Sequence, residues 1–194
     1  MRKLIEITFM SLDGVIDAPD IVQEAQQYFL SNEEHNSYQK ERLFASDALL
    51  LGRKTYEVFS KAYPSMAEEN KGAPIDFVNR MNSIQKYVAS RTLKETYWNA
   101  AIIQGDVVEE VRKIKEQPGK DIIKYGTGIL DHILFGQHLI DLFCIILYPF
   151  ILGHGMHLFE GLELTTHLNL SNVKQFENGT IVLEYVLKEP LHGM

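Results

Sequence analysis

The chain has 194 residues, with 26 acidic and 19 basic side chains and a formal net charge of −7, which argues against general nucleic-acid binding. A chain of this length buries a core of its own, so we expect one domain over residues 1–194. The single cysteine, Cys144, excludes an internal disulfide, and the longest apolar stretch, residues 142–152, is too short to cross a bilayer, so no membrane association and a cytoplasmic location are expected.

The first quarter of the chain predicts a strand, a helical region and a second strand. Residues 3–9 alternate between apolar and polar side chains, as a half-buried strand does. Residues 21–44 carry a helical pattern whose polar middle can break it. The continuous apolar run at residues 48–51 ends at Gly52, which is typical of a strand buried on both faces of a parallel sheet.

The next segment predicts one helix, one loop and two strands. A helix should start near Arg53 and stop before Pro64, because proline removes a backbone donor and clashes with the preceding turn. Residues 64–76 are expected to form an exposed loop. Strands are expected at residues 84–90 and 100–104.

The second half of the chain continues this alternation and then changes character. Asp106 and Glu109 mark a helix start, and this helix should end at residues 118–119. Residues 121–125 predict a strand, followed by a Gly-Thr-Gly turn and a helix to about residue 135.

From residue 140 onward the pattern is one of strands, with the hairpin signal Asn178-Gly179 before a final strand that ends at Leu187. The order of elements predicts a three-layer α/β fold with a mixed, mostly parallel central sheet and antiparallel C-terminal strands.

The segment from Gly52 to Thr55 is the first candidate for chemistry. A buried strand feeds a helix whose N-terminus offers free N–H groups and a partial positive charge, and Arg53 and Lys54 add full charges. Two adjacent cations exceed what a pyrophosphate alone needs, which indicates a further phosphate. Composition alone favours the plainer interpretation of an ordinary helix start with solvated basic residues.

A family resemblance changes this balance. Residues 52–57, Gly-Arg-Lys-Thr-Tyr-Glu, resemble the cofactor motif of dihydrofolate reductase. Four further segments resemble, in the family's order, the C-terminal reductase domain of the bifunctional riboflavin-synthesis deaminase/reductase: residues 11–16, 88–92, 125–130 and 149–159. The resemblance runs from about residue 3 to 188 and implies a dihydrofolate reductase-like fold.

The resemblance also implies NADPH as cofactor. Arg53, Lys54 and Arg91 would hold the adenosine phosphate, and Thr55 would meet the pyrophosphate opposite a glycine turn that lets the backbone approach. Other residues would flank these groups or border the nicotinamide and the substrate. The cofactor-binding residues implied in this way are Met10, Gly14, Ile16, Gly52, Arg53, Lys54, Thr55, Ser90, Arg91, Thr92, Gly126, Thr127, Gly128, Ile129 and Leu130.

Hydride transfer to a C=N or C=O bond also needs a proton donor. The resemblance places Asp13 at the mouth of the pocket, which makes it a catalytic candidate. An aspartate before a glycine commonly just shapes a turn, and the two interpretations of Asp13 stay open. Glu24, Glu33 and Glu34 are weaker alternatives that more often face solvent.

His154 and His157 lie three residues apart without a third ligand in register, so no metal is expected. The resemblance therefore implies an NADPH-dependent reductase of a small heterocyclic or carbonyl substrate. The rival is a nucleotide-binding or regulatory module that has kept the fold and lost the chemistry.

The apolar strands of residues 140–188 further predict a two-fold homodimer. The resemblance implies the same, because the related riboflavin-pathway domain is dimeric.

Overall fold

The computed structural model describes residues 1–21, 24–25, 28, 32–70, 73–163 and 165–187. The strands are β1 (Leu4–Ser11), β2 (Val15–Asp17), β3 (Ser46–Gly52), β4 (Gln85–Ala89), β5 (Ala100–Ile102), β6 (Asp121–Tyr125), β7 (Leu142–Tyr148), β8 (Met156–His157), β9 (Leu168–Gln175) and β10 (Ile181–Leu187). The helices are α1 (Glu33–Phe44), α2 (Arg53–Glu69), α3 (Ile75–Ser83), α4 (Val107–Glu116) and α5 (Ile129–Gly136).

Eight strands form one sheet in the order β5-β4-β3-β6-β1-β7-β10-β9. Neighbours from β5 to β7 run parallel, whereas β10 is antiparallel to both β7 and β9. The short strands β2 and β8 pair separately. The predicted mostly parallel sheet with antiparallel C-terminal strands is therefore confirmed.

Alternating side chains of the sheet feed two cores on opposite faces. On one face, Ile7 of β1 and Leu51 of β3 pack in the same cluster as Tyr56 of α2. On the other face, Leu4 of β1 packs in a cluster with Leu134 of α5. Helices thus cover both faces of the sheet, which makes the three layers predicted from the sequence.

The predicted doubly buried strand is confirmed as β3. Residues 48–51 are all buried, with β4 on one side and β6 on the other. A strand in this position has no solvated face, which explains why its apolar run is continuous rather than alternating.

The predicted helix end before Pro64 is wrong, because α2 continues through Pro64 to Glu69. A proline inside a helix costs about 3 kcal/mol. Aromatic packing offsets this cost: the ring of Tyr63 stacks on Trp98 at 6.0 Å and meets Phe59 edge-on at 5.2 Å. The first part of the predicted loop at residues 64–76 is therefore helix.

Helix α3 was not predicted from the sequence. Its buried residues Phe77, Val78 and Met81 have helical spacing, but nine residues are too few for the period to stand out. The structure also shows what holds α3 in place: Trp98 Nε1 donates a hydrogen bond of 2.7 Å to Asn82 Oδ1.

The remaining strands of the large sheet and the helices α4 and α5 follow the prediction closely, whereas β2 was not predicted. Asp106 caps α4 by accepting from the N–H groups of Val108 and Glu109 at 2.9 and 3.1 Å. The hairpin between β9 and β10 turns at Gly179, whose φ is +83°. Of the predicted helical region 21–44, α1 begins after Asn32, while residues 22–23, 26–27 and 29–31 lie outside the described residues. None of the described helices is long and apolar enough to span a membrane.

Candidate cofactor-binding site

The carboxyl ends of the parallel strands bring the predicted site segments to one edge of the sheet. Gly52 pairs with Ala89 and Leu51 pairs with Tyr125, so the chain segments that follow β3, β4 and β6 lie side by side. The loop after β1 joins them because β1 is the other neighbour of β6. In open α/β sheets this edge is where ligands bind.

The start of α2 is an open anion-binding terminus. Gly52 is the N-cap and has no side chain to bond the first N–H groups, and the first turn contains no acidic residue. The positive end of the helix dipole therefore faces the edge without a neutralising carboxylate. Lys54 is exposed, whereas Arg53 Nη1 donates to both carboxylate oxygens of Glu57, at 2.9 and 3.2 Å.

The glycine turn after β6 contacts this helix start directly. Gly126 has a φ of +78°, and a Cβ added to it would clash with Thr55 Oγ1 and lie 3.1 and 3.2 Å from Thr55 Cβ and Cγ2. Glycine is therefore needed here for two independent reasons, the backbone angle and the space. The structure thus brings together Thr55 and the 126–128 turn, two parts of the predicted site that lie far apart in sequence.

A buried cluster of charges, Glu6, Lys124 and Asp131, lies beneath the turn. Lys124 Nζ lies 3.1 Å from Glu6 Oε2, forms an ion pair with Asp131 and donates to the carbonyl oxygen of Gly126. The N–H of Gly128 donates to Asp131 Oδ2 at 2.6 Å. The cluster therefore fixes both ends of the turn. It also occupies the N–H of Gly128, which is then not free to donate a hydrogen bond to a phosphate.

Burial controls the ionisation of this cluster. It raises the pKa of Glu6 well above its usual value; Asp131 adds to this effect and Lys124 opposes it. Burial alone would lower the pKa of Lys124, but the two carboxylates together raise it. The ammonium group of Lys124 is therefore retained, and burial favours the protonated form of the Glu6 carboxyl.

Sequence reasoning missed the charged cluster, although a signal was present. Glu6 and Lys124 are charged residues within otherwise apolar strands, and they face each other in the register of β1 and β6. Buried charges in proteins are almost always paired, so each of these two residues predicts a buried partner of opposite charge.

Asp13 is held by hydrogen bonds in the loop after β1. Its carboxylate accepts from Ser11 Oγ at 2.6 Å, from the N–H of Gly153 at 2.8 Å and from the N–H of Leu152 at 3.2 Å. The Ser11 and Gly153 bonds are the main causes that lower the pKa of Asp13 to about 2. It is ionised at neutral pH, so these contacts favour the turn-forming interpretation over a proton donor.

The other candidates for a proton donor differ in exposure. Glu33 and Glu34 occupy the first turn of α1 and are exposed, as expected of solvent-facing residues. Glu24 is half-buried. None of these positions is fixed by a contact to the glycine turn or to the start of α2 in the described part of the chain.

The loop after β4 carries the third predicted cation. Ser90 Oγ accepts from the N–H groups of Thr92 and Leu93 at 3.2 and 3.0 Å, which fixes the loop. Arg91 lies between Ser90 and Thr92 in this loop, and its side chain is exposed. Because Gly52 and Ala89 are paired, Arg91 and the start of α2 belong to neighbouring loops.

Two further residues noted in the sequence are His154 and Cys144. His154 bonds the carbonyl oxygen of Leu152 at 3.0 Å and Asp20 Oδ1 at 3.1 Å, joining the loops that follow β7 and β2. Cys144 is fully buried, and burial raises its pKa to about 11, as expected of an inert core thiol.

The mostly parallel sheet, its antiparallel C-terminal hairpin and the loops gathered at one edge define an α/β domain of the riboflavin-pathway reductase type. The chain belongs to the RibD C-terminal domain family, whose model matches residues 2–182. It is 32% identical to YyaP of Bacillus subtilis (strain 168) over 139 residues, 72% of this chain and 73% of YyaP. It is 27% identical to YwjB of the same strain over 185 residues, 95% of this chain and 98% of YwjB.

Solved structures agree on the fold. A protein of Shewanella sp. PV-4 named for riboflavin biosynthesis superimposes with a TM-score of 0.65 at 19% identity, covering 96% of this chain and 99% of its own. A pyrimidine reductase-like protein of Corynebacterium diphtheriae superimposes with a TM-score of 0.64 at 12% identity, covering 97% of this chain and 93% of that protein. A deaminase/reductase of Thermotoga maritima gives 0.62 at 14%; 96% of this chain matches 57% of that longer protein.

Proposed function

We propose that the protein is an NADPH-dependent reductase that transfers hydride to a small heterocyclic or carbonyl substrate. The observation that carries the proposal is the contact between the open start of α2 and the turn at Gly126, at the carboxyl edge of the parallel strands. The family membership supports it, since reductase-like proteins share this fold.

The phosphates of the cofactor would be held by this chain at the start of α2. The free N–H groups and the Thr55 hydroxyl suit a pyrophosphate, and Lys54 and Arg91 offer full charges to a further phosphate. Arg53 would have to exchange Glu57 for the phosphate, because its guanidinium already bonds that carboxylate. The acidic residue Asp131 makes the start of α5 a poorer anion site than that of α2.

Met10, Gly14 and Ile16 would border the nicotinamide, which supplies the hydride when it is bound. All three are half-buried: Met10 lies in β1, Gly14 in the loop that follows it and Ile16 in β2. The anchored carboxylate of Asp13 would keep this loop against residues 152–153 and so close one side of the pocket. Proton delivery would then come from water or another group.

The experiment that tests this function is NADPH oxidation with a panel of pterins, pyrimidinones and quinones. Turnover with at least one substrate is expected, and Lys54→Gln should raise the KM for NADPH. The matched control is Lys61→Gln, which removes the same charge from the same helix about two turns away. Equal effects of the two substitutions would place the phosphate elsewhere.

A second candidate function is a nucleotide-binding module without catalysis. The observation that favours it is the state of Asp13, which is ionised and bonded through both oxygens and so is a poor proton donor. NADPH binding without turnover on every member of the panel would support this candidate. Failure of NADPH to bind at all would contradict both.

A further inference from the structure

A chain of hydrogen bonds leads from the buried cluster to the glycine turn. Thr8 Oγ1 donates to Glu6 Oε1 at 3.1 Å, and Thr8 Oγ1 and Thr127 Oγ1 lie 3.0 Å apart. Glu6 is completely buried, whereas Thr127 is half-buried between the two glycines of the turn. The chain therefore connects an acid in the core to a hydroxyl at the surface of the site.

The charges around Glu6 favour a bound proton. With all three groups ionised, Glu6 and Asp131 outweigh the single cation of Lys124, which leaves one excess negative charge in the core. An uncompensated buried charge is costly, and protonation of Glu6 removes it. From β7, Glu6 faces the apolar Phe143 in register, and Cys144 carries a neutral thiol.

The protonation state of Glu6 decides which way the two hydroxyls point. Each threonine hydroxyl has one hydrogen to donate. When Glu6 is ionised, Thr8 donates to it and Thr127 donates to Thr8, so Thr127 offers only lone pairs to the site. When Glu6 holds a proton on Oε1, the oxygen that faces Thr8, it can donate to Thr8 and Thr8 to Thr127, which frees the hydrogen of Thr127 to point outward.

We infer that Glu6 is a positioning residue that couples the uptake of a proton to the binding of an anionic nucleotide at the 126–128 turn. A phosphate accepts hydrogen bonds, so it binds best when Thr127 donates outward. It also adds negative charge next to the cluster, which disfavours ionised Glu6. The inference rests on the proposed function, because it takes the turn, through its contact with the start of α2, to border the phosphate site.

Calorimetric titration with NADP⁺ tests the coupling without any turnover. In titrations from pH 7 upward, to a pH above the raised pKa of Glu6, wild-type protein should take up protons on binding, measured in pairs of buffers with different ionisation enthalpies. Its Kd should rise with pH by up to about tenfold per unit, the limit for one coupled proton. This range lies above the titration of a phosphate monoester near pH 6.

Glu6→Gln separates the coupling from binding itself. Lys124 Nζ lies 3.1 Å from Glu6 Oε2, so the amide oxygen should take that position and the amide nitrogen should face Thr8 as a permanent donor. The variant should therefore bind NADP⁺ as tightly at the highest pH of this range as at pH 7, without proton uptake. Thr127→Val should show a smaller proton uptake and bind more weakly at pH 7, while Thr127→Ser, which keeps the hydroxyl, should behave like wild type.

Three results would overturn the inference. Binding by wild type without proton uptake contradicts the coupling alone and leaves the proposed function intact. Unchanged uptake in Thr127→Val contradicts the route through the hydroxyls, even if Glu6→Gln does not fold. Absence of NADP⁺ binding to wild type contradicts the proposed function and this inference together.

Discussion

The contact between the glycine turn and α2 makes Gly126→Ala an informative substitution. The alanine would have to adopt a φ of +78°, in the left-handed region that side chains disfavour. Its Cβ would also meet Thr55 Oγ1, Cβ and Cγ2. Rotation of the Thr55 side chain would move Oγ1 but leave Thr55 Cβ 3.1 Å from the added atom, so it relieves the clash only in part.

The two costs can be estimated separately. The left-handed backbone costs an L-residue about 1–2 kcal/mol. Overpacking by one methyl group costs about 1–3 kcal/mol. The free energy of unfolding of Gly126→Ala should therefore fall by about 2–5 kcal/mol.

Urea denaturation of a double-mutant cycle measures the second cost. Thr55→Ala removes the oxygen and Cγ2, so the double variant should recover about 1–3 kcal/mol and leave the backbone cost. Gly136→Ala is the matched control, because Gly136 ends α5 with nothing within 4 Å of an added Cβ, and it should gain about 0.4–1 kcal/mol. A Gly126→Ala variant as stable as wild type, or a cycle without coupling, would refute the close approach.

Three further predictions concern other parts of the molecule. Asp13→Asn loses one acceptor oxygen, so its melting temperature should be lower at pH 7, and the difference should shrink as pH falls from 3.8 towards 2, where wild-type Asp13 also becomes protonated. A roughly 100-fold loss of single-turnover hydride transfer at unchanged stability would instead give Asp13 a chemical role. Burial, aided by Arg80, lowers the pKa of Lys86 to about 7, so the stability of the wild-type protein should fall as the pH drops from 10.5 to 7. Lys86→Met should lack this loss. The same pH dependence of the melting temperature in both proteins would contradict the prediction. We also propose a homodimer through the C-terminal strands, where Leu170 and Val173 of β9 are each 52% exposed; light scattering should give a dimer at micromolar concentration and a monomer for Val173→Lys, and a wild-type monomer would exclude it.

Local patterns were enough to predict much of the fold. The continuous apolar run of β3 reports burial on both faces, and the acidic cap at Asp106 marks the start of α4. The Asn178-Gly179 turn signals the C-terminal hairpin. These features depend on neighbours in sequence, so the sequence alone carries them.

Features that depend on distant contacts could not be predicted in this way. The helix passes through Pro64 because Tyr63 packs on Trp98, 35 positions away. Asp13 is held by the N–H groups of residues 152–153, which no local pattern around it indicates. The predicted segments of the site were found one by one, but their contact at Gly126 required the sheet order.

The charged cluster under the turn shows the same limit. Glu6 and Lys124 stand out as charges in apolar strands, yet their pairing depends on β1 lying next to β6. Asp131 could be recognised as the acidic residue in the first turn of α5. Its role in holding Gly128 and Lys124 follows only from the folded geometry.

The most direct test of the central claim compares the Kd values of NADPH and NADH at one ionic strength. If the edge beside α2 holds the extra phosphate of NADPH through Lys54 and Arg91, NADPH should bind at least about tenfold more tightly, since each charge-assisted contact contributes about 1.5–3 kcal/mol. The preference should shrink in Arg91→Ala. Equal Kd values for the two cofactors in the wild-type protein would contradict the proposed site.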